Sequence, residues 1–166
     1  ALPEHAKHYE LVLDGARPFI EGNHVFVSLS DRREVERAKA GQRTVTCSTH
    51  VRAAALRAMS AREQESYVRS VQARMREALR ARCTEVARAI VRDESASPRT
   101  FERFTGRPGG YVGGVPRRAG LAQYSRLWPT ELERGLWLVG DSVGMGQSTL
   151  ATALTAIRTA DAITRA

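Results

Sequence analysis

Three stretches predict an α/β chain with its sheet and helices arranged in the α+β manner. Gly135 to Ile163, GLWLVGDSVGMGQSTLATALTAIRTADAI, reads as a strand, a glycine-containing turn and a helix in that order. His24 to Ser30 and Arg43 to Ser48 alternate apolar and polar residues with the period of a half-buried strand. Residues 61 to 91 repeat apolar side chains every three or four positions, the period of an amphipathic helix. The expected architecture is a small sheet covered by one long helix, followed by a strand–turn–helix unit.

In chain order, Leu11-Val12-Leu13 is a candidate strand closed by the turn signal Asp14-Gly15, and Pro18 to Asn23 is a loop. His5 and His8 form H-x-x-H with no third ligand nearby, so they are read as surface histidines. In HVFVSLS, Val25, Val27 and Leu29 share one side. Val45 and Cys47 do the same in the next strand, and antiparallel pairing is the simplest arrangement of the two. The intervening DRREVERAKAG is charged, ends in glycine and is expected to be an exposed connection. His50 follows the second strand, and its expected role is structural. Ser60-Ala-Arg-Glu63 is a capping box: the serine hydroxyl accepts from the N–H three residues on, and the glutamate reaches back. Tyr67, Val68, Val71, Met75, Ala78, Leu79, Val86 and Ile90 then form the apolar side of a helix over 61–91. Its arginines lie mostly on the other faces, so it is expected to cover the sheet with a solvated arginine side. Asp93 to Pro98 is a break, read as the crossing between two domains, 1–95 and 96–166. Gly106 to Gly114 places five glycines in nine residues, which permits close backbone approach to a ligand. Trp128 to Glu133 is read as a surface turn before the last strand.

That last strand, Leu136 to Gly140, is a short apolar run of the kind buried on both faces of a sheet. After it comes Asp141-Ser-Val-Gly-Met-Gly146. From Gln147, the spacing of Leu150, Ala153, Leu154, Ile157, Ala160, Ala162 and Ile163 predicts a buried, alanine-rich helix. A helix N-terminus presents unpaired N–H groups and partial positive charge to an anionic or hydroxyl-rich ligand. A P-loop fails here, because aligning Gly146 puts Asp141 where glycine belongs and Gln147 where lysine belongs. A dinucleotide fingerprint also fails: Thr149 stands at the last glycine, and too little chain follows for a second strand. A flavin site fits the order, with Asp141 accepting from ribityl hydroxyls and the helix N–H groups directed at the pyrimidine ring.

At these residues the chain resembles the FAD-dependent carotenoid desaturases and isomerases (phytoene desaturase-like enzymes), with the related retinol saturases, in the amine-oxidase-like flavoprotein group. The resemblance extends upstream to PFIEGNHVFVSLS, GQRTVTCSTH and SPRTFERFTGRPGGYVGG, covering most of Pro18 to Ile163. Where many members carry an aromatic–proline pair before the glycine–glutamine step, this chain has Gly144-Met145. The resemblance implies the C-terminal portion of a two-domain FAD-dependent oxidoreductase. Residues 1–95 would belong to the substrate-binding domain and 96–166 to the FAD-binding domain. FAD would be held by Gly140, Asp141, Met145, Gly146, Gln147, Ser148 and Thr149. Such enzymes bind the ADP half of FAD with an N-terminal βαβ unit, and this sequence carries none. The expected partners are therefore that N-terminal FAD-binding portion and a hydrophobic isoprenoid substrate. No catalytic side chains are identifiable, which suits a flavin reaction in which the cofactor supplies the chemistry.

Composition bounds the alternatives. With 166 residues, 42% hydrophobic and 27% charged, the chain is long enough and apolar enough for a sizeable core. The formal charge of +8 comes from 24 arginines and two lysines spread along the sequence. They lack the aromatic interleaving of a single-strand binder, so no nucleic-acid partner is expected. A basic module for nucleic acid or anionic lipid is the competing function class, and it would require clustered charge. Cys47 and Cys83 lack metal-ligand spacing and are expected to be buried free thiols; no metal is expected. A cytoplasmic location follows from the missing apolar span, with contact at a membrane surface as an extension of it. The expected excess of apolar surface over 136–163 predicts self-association, or packing of that segment onto the chain's own first half.

Overall fold

The alternation of Val25, Val27 and Leu29 puts all three side chains on one face of β2 (His24–Leu29), where each is at most 1% exposed. The computed structural model describes residues 2–112, 130–141, 143 and 149–165. Among them the fold is mixed α/β, with two small antiparallel sheets and five α-helices. The chain divides into two compact units, Ala1–Thr100 and Phe101–Ala166.

In the first unit, β2 is the central strand between β1 (Lys7–Val12) and β3 (Val45–Ser48), antiparallel to both. The register aligns Tyr9, Val27 and Cys47 across the sheet. Cross-strand neighbours on one face are the unit of sheet stabilisation, and this row lies on the face turned to the core. The short helix α1 (Ala53–Arg57) leads to α2 (Ala61–Arg82). Both halves of the expected capping box form: Ser60 Oγ accepts from the Glu63 N–H at 3.4 Å, and Glu63 Oε2 accepts from the Ser60 N–H at 2.7 Å. Ala78 and Leu79 of α2 join Leu11, Val25, Val27, Leu29 and Val86 in one apolar cluster. Burial of this kind stabilises by about 25 cal/mol per Å² of apolar surface, so the helix covers the sheet as its periodicity predicts.

The expected helix over 61–91 is interrupted. Cys83, with φ −138° and ψ 59°, leaves the helical region, and α3 (Thr84–Arg88) begins after it. The Thr84 hydroxyl donates to the Arg80 carbonyl at 3.0 Å, a side-chain competitor for a carbonyl at the helix end. Ile90, expected on the apolar face, is exposed. Both cysteines are free and only half-buried against the core cluster, not fully buried as expected. Burial still pushes the Cys47 thiol up, the neighbouring Cys83 adding to it.

The loop before β2 is pressed onto α2. Arg74 Nε donates to the Glu21 carbonyl at 2.7 Å, and Gly22 takes φ +84° directly over the helix. The connection DRREVERAKAG contains turns and bends but no helix, and it is exposed almost throughout.

In the second unit, β4 (Thr130–Glu133) pairs antiparallel with β5 (Leu136–Leu138) through a turn at Gly135, with a bulge between Glu131 and Glu133. Two expectations are corrected here. Thr130–Glu133 is a strand, where a surface turn was expected. The strand expected over 136–140 and buried on both faces stops at Leu138 and leaves Leu136, Leu138 and Val139 exposed; among the described residues it pairs with the polar TELE. The last helix, α5 (Thr149–Arg165), forms, but its buried residues are Thr155 and Thr159. Leu150, Leu154, Ile157 and Ile163 are exposed, so the expected buried helix presents large aliphatic side chains to solvent. Among the described residues, no helix is long and apolar enough to cross a membrane.

Candidate functional site

The candidate site begins where β5 gives way to a turn. Gly140 has φ +126°, a backbone conformation that side-chain-bearing residues rarely adopt. Its carbonyl accepts from the Val143 N–H at 3.3 Å, and Val143 is buried. A Cβ built on Gly140 would meet no atom within 4 Å, so torsion rather than crowding requires glycine there and that side of the backbone is open.

Asp141 follows, and its carboxylate is held by a residue that sequence reasoning did not single out. Arg107 Nη2 donates to both carboxylate oxygens, at 3.0 and 2.8 Å. The two side chains are 40% and 35% exposed, so solvent screens the pair and its expected worth is about 0.2–1 kcal/mol. Its other contribution is orientation.

The Arg107 backbone lies between two turns. Helix α4 (Pro98–Thr105) starts at Ser97, whose hydroxyl accepts from the Thr100 N–H at 3.4 Å, and it ends in Gly106 at φ +69°. The Gly106 N–H donates to the Glu102 carbonyl at 2.9 Å, a left-handed cap that reverses the chain. The Arg107 N–H donates to Thr105 Oγ1 at 3.3 Å, and the Arg107 carbonyl accepts from Gly110 at 2.9 Å through a 3-10 turn over Pro108–Gly110. The glycine density of this segment therefore serves turns that set the arginine backbone. The signal available in sequence was Arg-Pro-Gly-Gly, an isolated cation at a forced turn.

The described residues can be tested for a flavin ribityl chain. An ionised carboxylate has about four acceptor positions. Arg107 takes one on each oxygen, and the carboxylate is partly open to solvent. A part-exposed, ionised carboxylate beside Gly140 is of the chemical kind that accepts from hydroxyls. Thr149 is exposed at the start of α5. Met145, Gly146, Gln147 and Ser148, the rest of the expected FAD-binding set, lie outside the described residues.

The other expected sites resolve simply. His5 and His8 are exposed, and no group of three or more metal-ligating side chains could hold an ion among the described residues. His50 is exposed, and its backbone carbonyl accepts from the Glu21 N–H at 2.7 Å. Tyr67 on α2 was expected only as a core residue, yet its hydroxyl is buried beside the Glu21 carboxylate. Burial first, then the Glu21 carboxylate beside it, pushes that phenol up to about 12. No family model, curated protein or solved structure matches the chain.

Proposed function

We propose that this chain is the C-terminal part of an FAD-dependent oxidoreductase acting on a carotenoid or another long isoprenoid, by desaturation, isomerisation or saturation. The observation that carries the reading is the Gly140–Asp141 turn between β5 and α5. A glycine-only torsion there opens the backbone, and an oriented, half-exposed carboxylate stands beside it. When bound, FAD would supply hydride transfer. The chain's own contribution is binding: Asp141 accepts from ribityl hydroxyls, and the start of α5 offers N–H groups to the polar edge of the ring.

Residues 1–95, with the β1–β3 sheet and α2, would line the substrate side, and 96–166 the flavin side. The exposed aliphatic residues of β5 and α5 support a second element of the proposal, that an N-terminal FAD-binding portion of the same enzyme covers them. In its absence they provide the surface for self-association. The isoprenoid would reach a cytoplasmic enzyme from a membrane surface.

The test is the reading frame that contains this sequence. It should encode an upstream G-x-G-x-x-G between a strand and a helix, and the whole polypeptide should purify yellow, with flavin absorbance. The 166-residue chain alone should be colourless, because it lacks a site for the ADP half. A reading frame without the upstream fingerprint removes the flavin reading.

A further inference from the structure

We propose that Arg107 is the positioning residue of the Asp141 turn, a fixed cation that sets the carboxylate's direction and ties the glycine-rich segment 106–112 to the end of β5. The assignment deepens the flavin reading and rests on it for the identity of the ligand; the clamp itself rests on geometry alone.

Three observations lead to it. First, one guanidinium nitrogen lies within hydrogen-bond distance of both oxygens of Asp141, at 3.0 and 2.8 Å, which fixes where the carboxylate group sits. Charge-assisted bonds of this length are the stronger kind and carry geometric specificity. Second, the arginine is braced on either side. Its N–H is held by the Thr105 hydroxyl, its carbonyl by Gly110, and positive φ at Gly106, Gly109 and Gly110 shapes the backbone around it. These bonds fix where the side chain leaves the backbone, and the side chain itself stays partly exposed. Third, the partners lie 34 residues apart in sequence, so the bond joins two segments that local structure does not join. A residue that acts through Asp141 in this way touches no reacting atom, and its effect is to hold the acceptor still for hydroxyls that arrive later.

The experiment measures backbone hydrogen exchange by mass spectrometry on this chain, with Arg107→Gln, Arg107→Lys, Asp141→Asn and the Gln/Asn double variant. Peptides of α2 serve as an internal reference for folding. Arg107→Gln is expected to raise exchange about two- to fivefold in 106–112 and 136–141, the range open to a screened ion pair. Asp141→Asn should do the same, the double variant should add nothing further, and Arg107→Lys should recover part of the protection as a point charge on a shorter stem. Unchanged exchange at 136–141 in Arg107→Gln overturns the proposal. So does a Lys variant indistinguishable from Gln, or a rise spread evenly over 101–166, which would mark Arg107 as merely structural. The second arm uses the polypeptide with its N-terminal portion and measures FAD retained after gel filtration. Retention should fall severalfold in Arg107→Gln and recover partly in Arg107→Lys. Unsubstituted polypeptide that holds no FAD removes the flavin reading, and the clamp then stands or falls on the exchange result.

Discussion

Replacing Gly22 by alanine separates two costs that are usually confounded. Gly22 has φ +84°, and a Cβ there would lie 2.8 Å from Arg74 Cβ, 3.1 Å from the Val71 carbonyl oxygen and 3.2 Å from the Met75 nitrogen. Two of those three contacts are helix backbone, which cannot swing aside as a side chain can. The left-handed conformation costs alanine about 1–2 kcal/mol, and forcing an extra methyl into a packed site costs about 1–3 kcal/mol more. Gly41 is the control: its φ is +77°, and a Cβ there would meet nothing within 4 Å. Both substitutions also stiffen the unfolded chain, and that contribution cancels between them. Gly41→Ala should therefore cost about 1–2 kcal/mol and Gly22→Ala about 2–5 kcal/mol. For a domain of about 100 residues each kcal/mol moves Tm by about 4–8 °C. Urea and thermal unfolding followed by circular dichroism at 222 nm would measure both. Equal losses in the two variants would refute the argument, because they would show that the loop lifts off α2 without cost and that the Arg74–Glu21 bond does not hold it.

Ser60→Ala should destabilise α2 by about 1 kcal/mol, since it removes the hydroxyl that caps the Glu63 N–H; the measurement is the urea midpoint at neutral pH. The Ser60 hydroxyl, and then its backbone N–H, also lower the Glu63 pKa. That contribution is present above the ordinary glutamate pKa and fades as pH falls through the folded value, so the variant should lose the corresponding part of the acid slope. Tyr67 has the opposite sense. With its folded pKa raised to about 12, the folded state keeps a proton that the unfolded chain releases near its ordinary value of 10, so stability should fall as pH rises between the two. Tyr67→Phe should abolish that slope. Asp141→Ala in the polypeptide with its N-terminal portion should weaken FAD retention while leaving the unfolding midpoint within about 1 kcal/mol, as expected of a screened surface pair. A collapse in stability would show instead that the carboxylate belongs to the core.

The first unit was legible because its signals are local and agree with one another. Alternation put Val25, Val27 and Leu29 on one face, the serine–glutamate spacing marked the start of α2, and the three- to four-residue period identified what it buries. The end of α2 was not legible, since the apolar period runs on through Val86 while a backbone torsion at Cys83 breaks the helix. Helix α4 was missed although Ser97-Pro98 is a start signal, a capping hydroxyl followed by proline at the first helical position. The dense polar run DESASP drew attention to the break and away from the helix that it begins.

For the site, the sequence identified one partner of a pair. Asp141 was recognisable because a strand, a glycine and a helix bracket it, and such bracketing gives an acidic residue a defined place. Arg107 is one of 24 arginines, and no spacing rule ties it to a residue 34 positions away. What distinguishes it is its mounting: glycines at positive φ on both sides turn a flexible cation into an oriented one. Composition made the arginines look like a diffuse property of the chain. At this position turns on both sides of the residue set one of them against a carboxylate 34 residues away.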